Sequence, residues 1–167
     1  MTTPATGQHT TAGRPHGFSS LTPFIAVHPA QAAIDFYTEV FGARVVSLTS
    51  FGEVIVHAEL DFGDGRLQLG EPTASSHLIE QSSSDEVNFS MGIYVEDADA
   101  TVARAEAAGA TVREPLADFV SGDRFASIRD PFGVRWSVMT RVEDLSDDES
   151  ARRVAAWAAS FSSGSAN

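Results

Sequence analysis

The chain states nearly the same pattern twice, about 68 residues apart, and that repeat constrains its fold more than any single motif. An apolar strand over 21–27 leads into a helix that ends at Gly42-Ala43-Arg44-Val45. A second strand, over 87–95, leads into a helix ending at Gly109-Ala110-Thr111-Val112. Strand-like segments follow each helix and close on a glycine-initiated strand, at Gly65 and at Gly133. A duplicated β-α-β-β-β unit points to an α+β fold of paired βαβββ modules sharing one cup. Function then depends on what lines that cup.

Local signals place the elements. Pro29 opens a helix over 30–41, because proline is tolerated where the first N–H has no helical partner. Ala33, Ile34, Tyr37 and Val40 recur at three- and four-residue spacing, an amphipathic stripe that wants a sheet beneath it. Gly42 suits the left-handed residue that ends many helices. Strands are expected over 43–51, 54–62 and 66–69, then over 110–115, 124–128 and 134–140, with a turn at Asp130-Pro131-Phe132-Gly133. Ser146 with Glu149 three residues later predicts a capped helix over 146–161, appended to the body. The expected organisation is an unstructured arm over 1–20, a single domain over 21–161 and a loose tail over 162–167. Within the domain, module 1 spans 21–73, a Ser-rich linker 74–86 and module 2 87–144.

Composition excludes some partners. A net charge of −12 argues against nucleic acid and anionic membrane surfaces, which attract basic patches. With no cysteine, disulfides, thiolate metal sites and cysteine nucleophiles are excluded. No apolar run approaches the roughly 18 residues of a membrane span, and no secretory leader is legible, so the expected location is the cytoplasm.

The order of these elements, with Leu21-Thr22-Pro23-Phe24, Ile34-Asp35-Phe36-Tyr37, His57-Ala58-Glu59-Leu60, Tyr94-Val95-Glu96-Asp97, Asp130-Pro131-Phe132-Gly133-Val134-Arg135-Trp136 and Val142-Glu143-Asp144, resembles the vicinal oxygen chelate superfamily. That superfamily holds glyoxalases, bleomycin-resistance proteins and extradiol dioxygenases; more narrowly, the chain is similar to its PhnB-like branch. The resemblance implies a homodimer. In metal-dependent members it also implies one divalent cation, held by His, Glu or Gln on the first and last strands of each module and polarising vicinal substrate oxygens. Carried over by motif, those positions are Thr22, Gln68, Ser90 and Ser137, with Leu69 an alternative to Gln68 by one residue. Hydroxyls are poor donors for a catalytic transition metal, so the usual quartet is missing.

Strand alternation puts Thr22 and Phe24, Ser90 and Tyr94, and Arg135 and Ser137 on faces opposite their apolar neighbours, a mixed lining suited to an organic ligand. The expected function is therefore binding of a small organic ligand in a metal-free cup, antibiotic sequestration being one form, through Thr22, Phe24, Gln68, Ser90, Tyr94, Arg135 and Ser137. No cofactor is expected in this reading. The alternative is a glyoxalase-like or dioxygenase-like enzyme, with a divalent metal on His57, Glu59 and Glu71 or with His57 as general base. A half-exposed strand whose polar residues face outward explains the same His57–Glu59 pattern. Arg124, Arg129 and Arg135 can each orient an anion, or simply sit at strand ends and turns. Phe119 is a candidate for the rim.

Overall fold

The computed structural model describes residues 5–163. They form two compact units that part between Asp85 and Glu86. The first begins with a short antiparallel ladder, β1 (Thr10–Thr11) with β2 (Arg14–Pro15). Part of the stretch expected as an unstructured arm is therefore ordered. Ala12 (φ 50) and Gly13 (φ 78) both take positive φ at the turn, the backbone that a tight two-residue hairpin requires. An Ala-Gly pair is a weaker sequence signal for that turn than Asn-Gly.

The rest of the first unit is β3 (Phe24–Ala26), α1 (Ala30–Phe41), β4 (Arg44–Phe51), β5 (Val54–Asp61) and β6 (Arg66–Gly70). Its sheet runs in the order β3-β6-β5-β4, with β3 parallel to β6 and the other pairs antiparallel. The second unit repeats this with β7 (Met91–Tyr94), α2 (Ala98–Ala107), β8 (Thr111–Asp118), β9 (Asp123–Arg129) and β10 (Arg135–Arg141). Its order is β7-β10-β9-β8, with β7 parallel to β10. Even the irregularities recur: a bulge interrupts the outer pair between Val45 and Ser47, and again between Val112 and Glu114. The expected α+β architecture of two βαβββ modules and an appended helix is what the chain adopts.

Both opening strands are shorter than expected. The closing strands begin only at Arg66 and Arg135, so residues before Phe24 and Met91 have little strand to pair with. Single bonds extend the ladders, from Gln68 N–H to the Pro23 carbonyl (2.9 Å) and from Val95 N–H to the Met139 carbonyl (2.8 Å).

Each helix covers one sheet face. In the first unit Ala33, Ile34, Tyr37 and Val40 are buried on α1, and Ala58, Leu60, Leu67 and Leu69 are buried in the sheet. Gly42 ends α1 at φ 71, where a side chain would be strained. The α1 N-terminus has no capping side chain of its own; Glu71 accepts from the Ala30 N–H (3.3 Å) and bonds His28 Nδ1 (3.2 Å). In the second unit Asp97 caps α2 through the Ala100 N–H (2.9 Å), and Val102 and Ala105 are buried, as are Ala126, Ile128, Trp136 and Val138 of the sheet. Trp136 is a core residue: 2 % exposed, its indole N–H donates to Asp130 at 2.9 Å. Asp130, itself buried, also accepts from the backbone N–H groups of Phe132 and Val134 (2.9 and 2.8 Å). The Asp130–Gly133 motif is thus a turn locked by one carboxylate.

α3 (Asp147–Ser163) follows. Ser146 accepts from the Glu149 N–H (3.3 Å), but the Glu149 carboxylate turns to Arg152 and Arg153 instead of closing the reciprocal half of a capping box. Arg153 also holds Glu143, and Ser150 donates to the Ser121 carbonyl (3.0 Å), which ties the helix to the β8–β9 turn. Phe119, expected at the rim, stands edge-on to Trp157 at 5.0 Å, and Trp157 stands likewise to Phe161 at 4.9 Å. Among the described residues no helix is long and apolar enough to cross a membrane.

Two outcomes test this account. Asp130→Asn keeps the shape of the side chain but turns an N–H pair toward the Trp136 or backbone donors. We expect it to lower unfolding stability by about 1–3 kcal/mol in urea titration, with Asp130→Ala at least as costly. Arg152 and Arg153 hold the Glu149 carboxyl at about 2, below its ordinary 4.5. The stabilisation of the first turns of α3 by this intrahelical pairing is complete above pH 4.5 and fades as pH falls toward 2, modestly because the pair is solvent-screened. Protection of the α3 amides, taken relative to their intrinsic exchange rates, should fall as pH drops across that window, and Glu149→Gln should reduce the dependence.

Candidate functional site

Register determines which side chains meet. In the first unit Phe24 pairs with Gln68, Gln68 with Glu59 and Glu59 with Ser47, forming one row across all four strands on the face away from α1. In the second unit the corresponding row is Gly92, Ser137, Ser127 and Glu114. Gln68 therefore occupies the place of Ser137, which resolves the one-residue ambiguity; Leu69 is fully buried on the helix side. At the start of each closing strand an arginine, Arg66 or Arg135, stands one same-face step before this row and reaches into it to a carboxylate. The carboxylates sit on different strands. Arg66 pairs with Glu59 on β5, whereas Arg135 pairs with Glu114 on β8 (2.7 Å) and donates through Nε to Ser127 (2.8 Å).

The two arginines differ in access. Glu59 is 7 % exposed, and the Arg66 guanidinium lies 4.3 Å beneath the centroid of the Phe18 ring. Gly17 passes so close that a Cβ there would stand 2.5 Å from Arg66 Nη2. The N-terminal segment thus covers this ion pair. Arg135 keeps 27 % of its side chain exposed and its partner Glu114 keeps 55 %. Around Arg135 lies an open pocket of about 340 Å³ lined also by Asn88, Phe89, Ser90, Glu114, Ser127 and Ser137. Ser127 is buried, so its hydroxyl serves as a fixed rest for the guanidinium.

Of the expected ligand residues, the structure brings Ser90, Arg135 and Ser137 into this pocket. Tyr94 shares their face but pairs with Met139, one step further along. Its hydroxyl donates to the buried Asp123 (3.3 Å), so the ring, not the hydroxyl, is what Tyr94 presents. The Tyr94 hydroxyl and Asp123 hold Arg141 more firmly protonated than usual. In the first unit Phe24 and Gln68 are neighbours, while Thr22 falls before the strand. The Phe24 ring leans toward His57 (6.1 Å between centroids) over Gly70, where a Cβ would stand 2.4 Å from the Val56 carbonyl oxygen. Arg124 is taken up by Asp99 and Asp118. Sequence reasoning missed Glu114 and Ser127; the repeat pairing of Ser127 with Glu59 is the signal that points to them.

The residues do not fit a divalent metal at the positions the resemblance assigns. Thr22, Gln68, Ser90 and Ser137 offer three hydroxyls and an amide, with neither imidazole nor carboxylate. Nor are His57, Glu59 and Glu71 brought together: Glu59 is bonded to Arg66, and Glu71 to His28 and the α1 N-terminus. Among the described residues no three His, Asp or Glu side chains converge as metal ligands.

Known proteins agree with the fold. The profile of the Glyoxalase/Bleomycin resistance protein/Dioxygenase superfamily matches residues 9–138. An uncharacterized protein of Mycobacterium bovis is 31% identical over 139 residues, 78% of this chain and 88% of its own. The crystal structure of TioX from Micromonospora sp. ML1 superposes with a TM-score of 0.58 at 25% identity, over 77% of this chain and 100% of that one. The fosfomycin resistance protein FosX from Mesorhizobium loti, at 16% identity, shares the fold with a TM-score of 0.53 over 73% of this chain and 90% of its own. A profile match over most of the chain, joined to the duplicated βαβββ register, means that this protein belongs to the Glyoxalase/Bleomycin resistance protein/Dioxygenase superfamily.

Proposed function

We propose that the protein binds a small organic ligand without a metal ion, in the pocket built on the second sheet. The observation that carries this reading is the chemistry of the positions to which the superfamily resemblance assigns metal ligands. In this chain Ser90 and Ser137 share a pocket with a held guanidinium, a set of hydrogen-bond donors that suits polar atoms of an organic molecule. Phe89, 37 % exposed, adds an apolar wall. Antibiotic sequestration is one form of this activity, in keeping with the bleomycin-resistance members that the superfamily's description names. The same proposal places the chain in the PhnB-like branch, as a cytoplasmic homodimer.

Native mass spectrometry of untagged protein, purified without chelator, tests the reading. We expect a mass free of transition metal, a dimer as the principal species, and an adduct of organic mass where the ligand co-purifies. Added Zn²⁺, Ni²⁺ or Mn²⁺ should leave the thermal midpoint unchanged. One stoichiometric transition-metal ion per subunit overturns the proposal and favours metal-dependent enzymology.

A further inference from the structure

We infer that the pocket on the second sheet selects ligands carrying a carboxylate or similar oxyanion, read by Arg135, and that the equivalent arginine of the first unit is closed to such ligands. The inference rests on the ligand-binding reading above and adds the class of molecule. Three features of Arg135 support it. The guanidinium is held from behind, Nε on the buried Ser127 hydroxyl (2.8 Å) and Nη2 on Glu114 (2.7 Å), while Nη1 makes no bond to the described residues. A planar fork so held loses little freedom when it takes up a carboxylate, which it matches with two parallel N–H donors. Ser90, Ser137 and Asn88 line the same pocket and supply further donors to the oxygens. Glu114, more than half exposed, is a competitor that water can solvate when a ligand carboxylate takes its place.

The repeat provides the contrast. Arg66 stands where Arg135 stands, yet its partner Glu59 is buried and Phe18 and Gly17 cover it. Anion access is therefore a property of one unit. The chain's net charge of −12 opposes anions at long range, but salt screens that field beyond about 8 Å, so short-range contacts at the guanidinium decide.

Paired probes that differ only in charge test the inference: 2-naphthoate and the neutral 2-naphthamide, titrated into the full chain and followed by amide NMR. We expect naphthoate to bind at least about tenfold more tightly, with shifts centred on Asn88, Phe89, Ser90, Ser127, Arg135 and Ser137. Arg135→Gln should abolish the preference, whereas Arg44→Gln, which removes an exposed charge elsewhere, should keep it. If Arg135→Gln does not fold, Glu114→Gln decides, since freeing the fork should tighten naphthoate severalfold; unchanged or weaker binding overturns the inference. Equal affinity for both probes refutes anion selection and leaves small-ligand binding standing. Absence of binding by either at millimolar concentration refutes both. Shifts centred on Gly17, Phe18 and Arg66 refute the assignment to the second unit.

Discussion

Parallel pairing of the first and last strands of each module is the constraint from which the rest of the structure follows. Two strands that run in the same direction cannot be joined by a tight turn; here a helix and two further strands intervene. The helix must then cover one sheet face, and the apolar members of the closing strands go to it: Leu67 and Leu69 in β6, Trp136 and Val138 in β10. With a side-chain period of two, the intervening residues have no choice but the other face. Gln68, Ser137 and the arginine that begins each closing strand are placed by this rule before any ligand is considered.

A second consequence concerns the carboxylates. An arginine at the start of the closing strand, adjoining an opening strand that has not yet paired, lies at a sheet end where partners are few. Each module supplies one acidic partner, but from a different strand, Glu59 in the first and Glu114 in the second. A carboxylate on the inner strand lies under its arginine and is easily buried. One on the edge strand keeps solvent on its outer side. The exchange of Ser and Glu between equivalent positions thus gives one repeat a closed ion pair and the other an accessible one. Buried pairs are not thereby more stabilising, because desolvation opposes the Coulomb gain; what changes is access.

Much of this was legible in the residues. Gly42 and Gly109, the helix stripes and the Asp130–Gly133 turn disclosed the repeat, and with it both modules. The site was legible on β10 and just before β7, which supply Arg135, Ser137 and Ser90, and not on β8 or β9. Glu114 was hidden by the bulge: simple alternation puts Val112 and Glu114 on the same face, whereas the extra residue sends Val112 to Ile128 on the helix side and Glu114 to Ser127 on the other. Nothing in composition announces such a bulge, although its recurrence between Val45 and Ser47 shows that it belongs to the module. The capping of α1 by Glu71 and the cover of Arg66 by Phe18 were illegible for a different reason, being contacts between distant parts of the chain.

Fold membership does not transfer a mechanism, because chemistry resides in the side chains that a shared backbone presents. A metal site needs ligands that lose protons or offer lone pairs to a cation, whereas a guanidinium with hydroxyls around it offers protons to an anion. At the sheet position discussed here the superfamily's metal-dependent members require the former, and this chain supplies the latter. On the proposal above, that replacement inverts the charge preference of the site. It also explains why the supporting residues matter as much as the contacting ones. Ser127 is almost wholly buried at the pocket wall, and by fixing Nε it determines which edge of Arg135 faces the pocket. A lysine in place of Arg135 would keep the charge and lose that orientation, so the selectivity proposed for the pocket depends on the fork and its rest together.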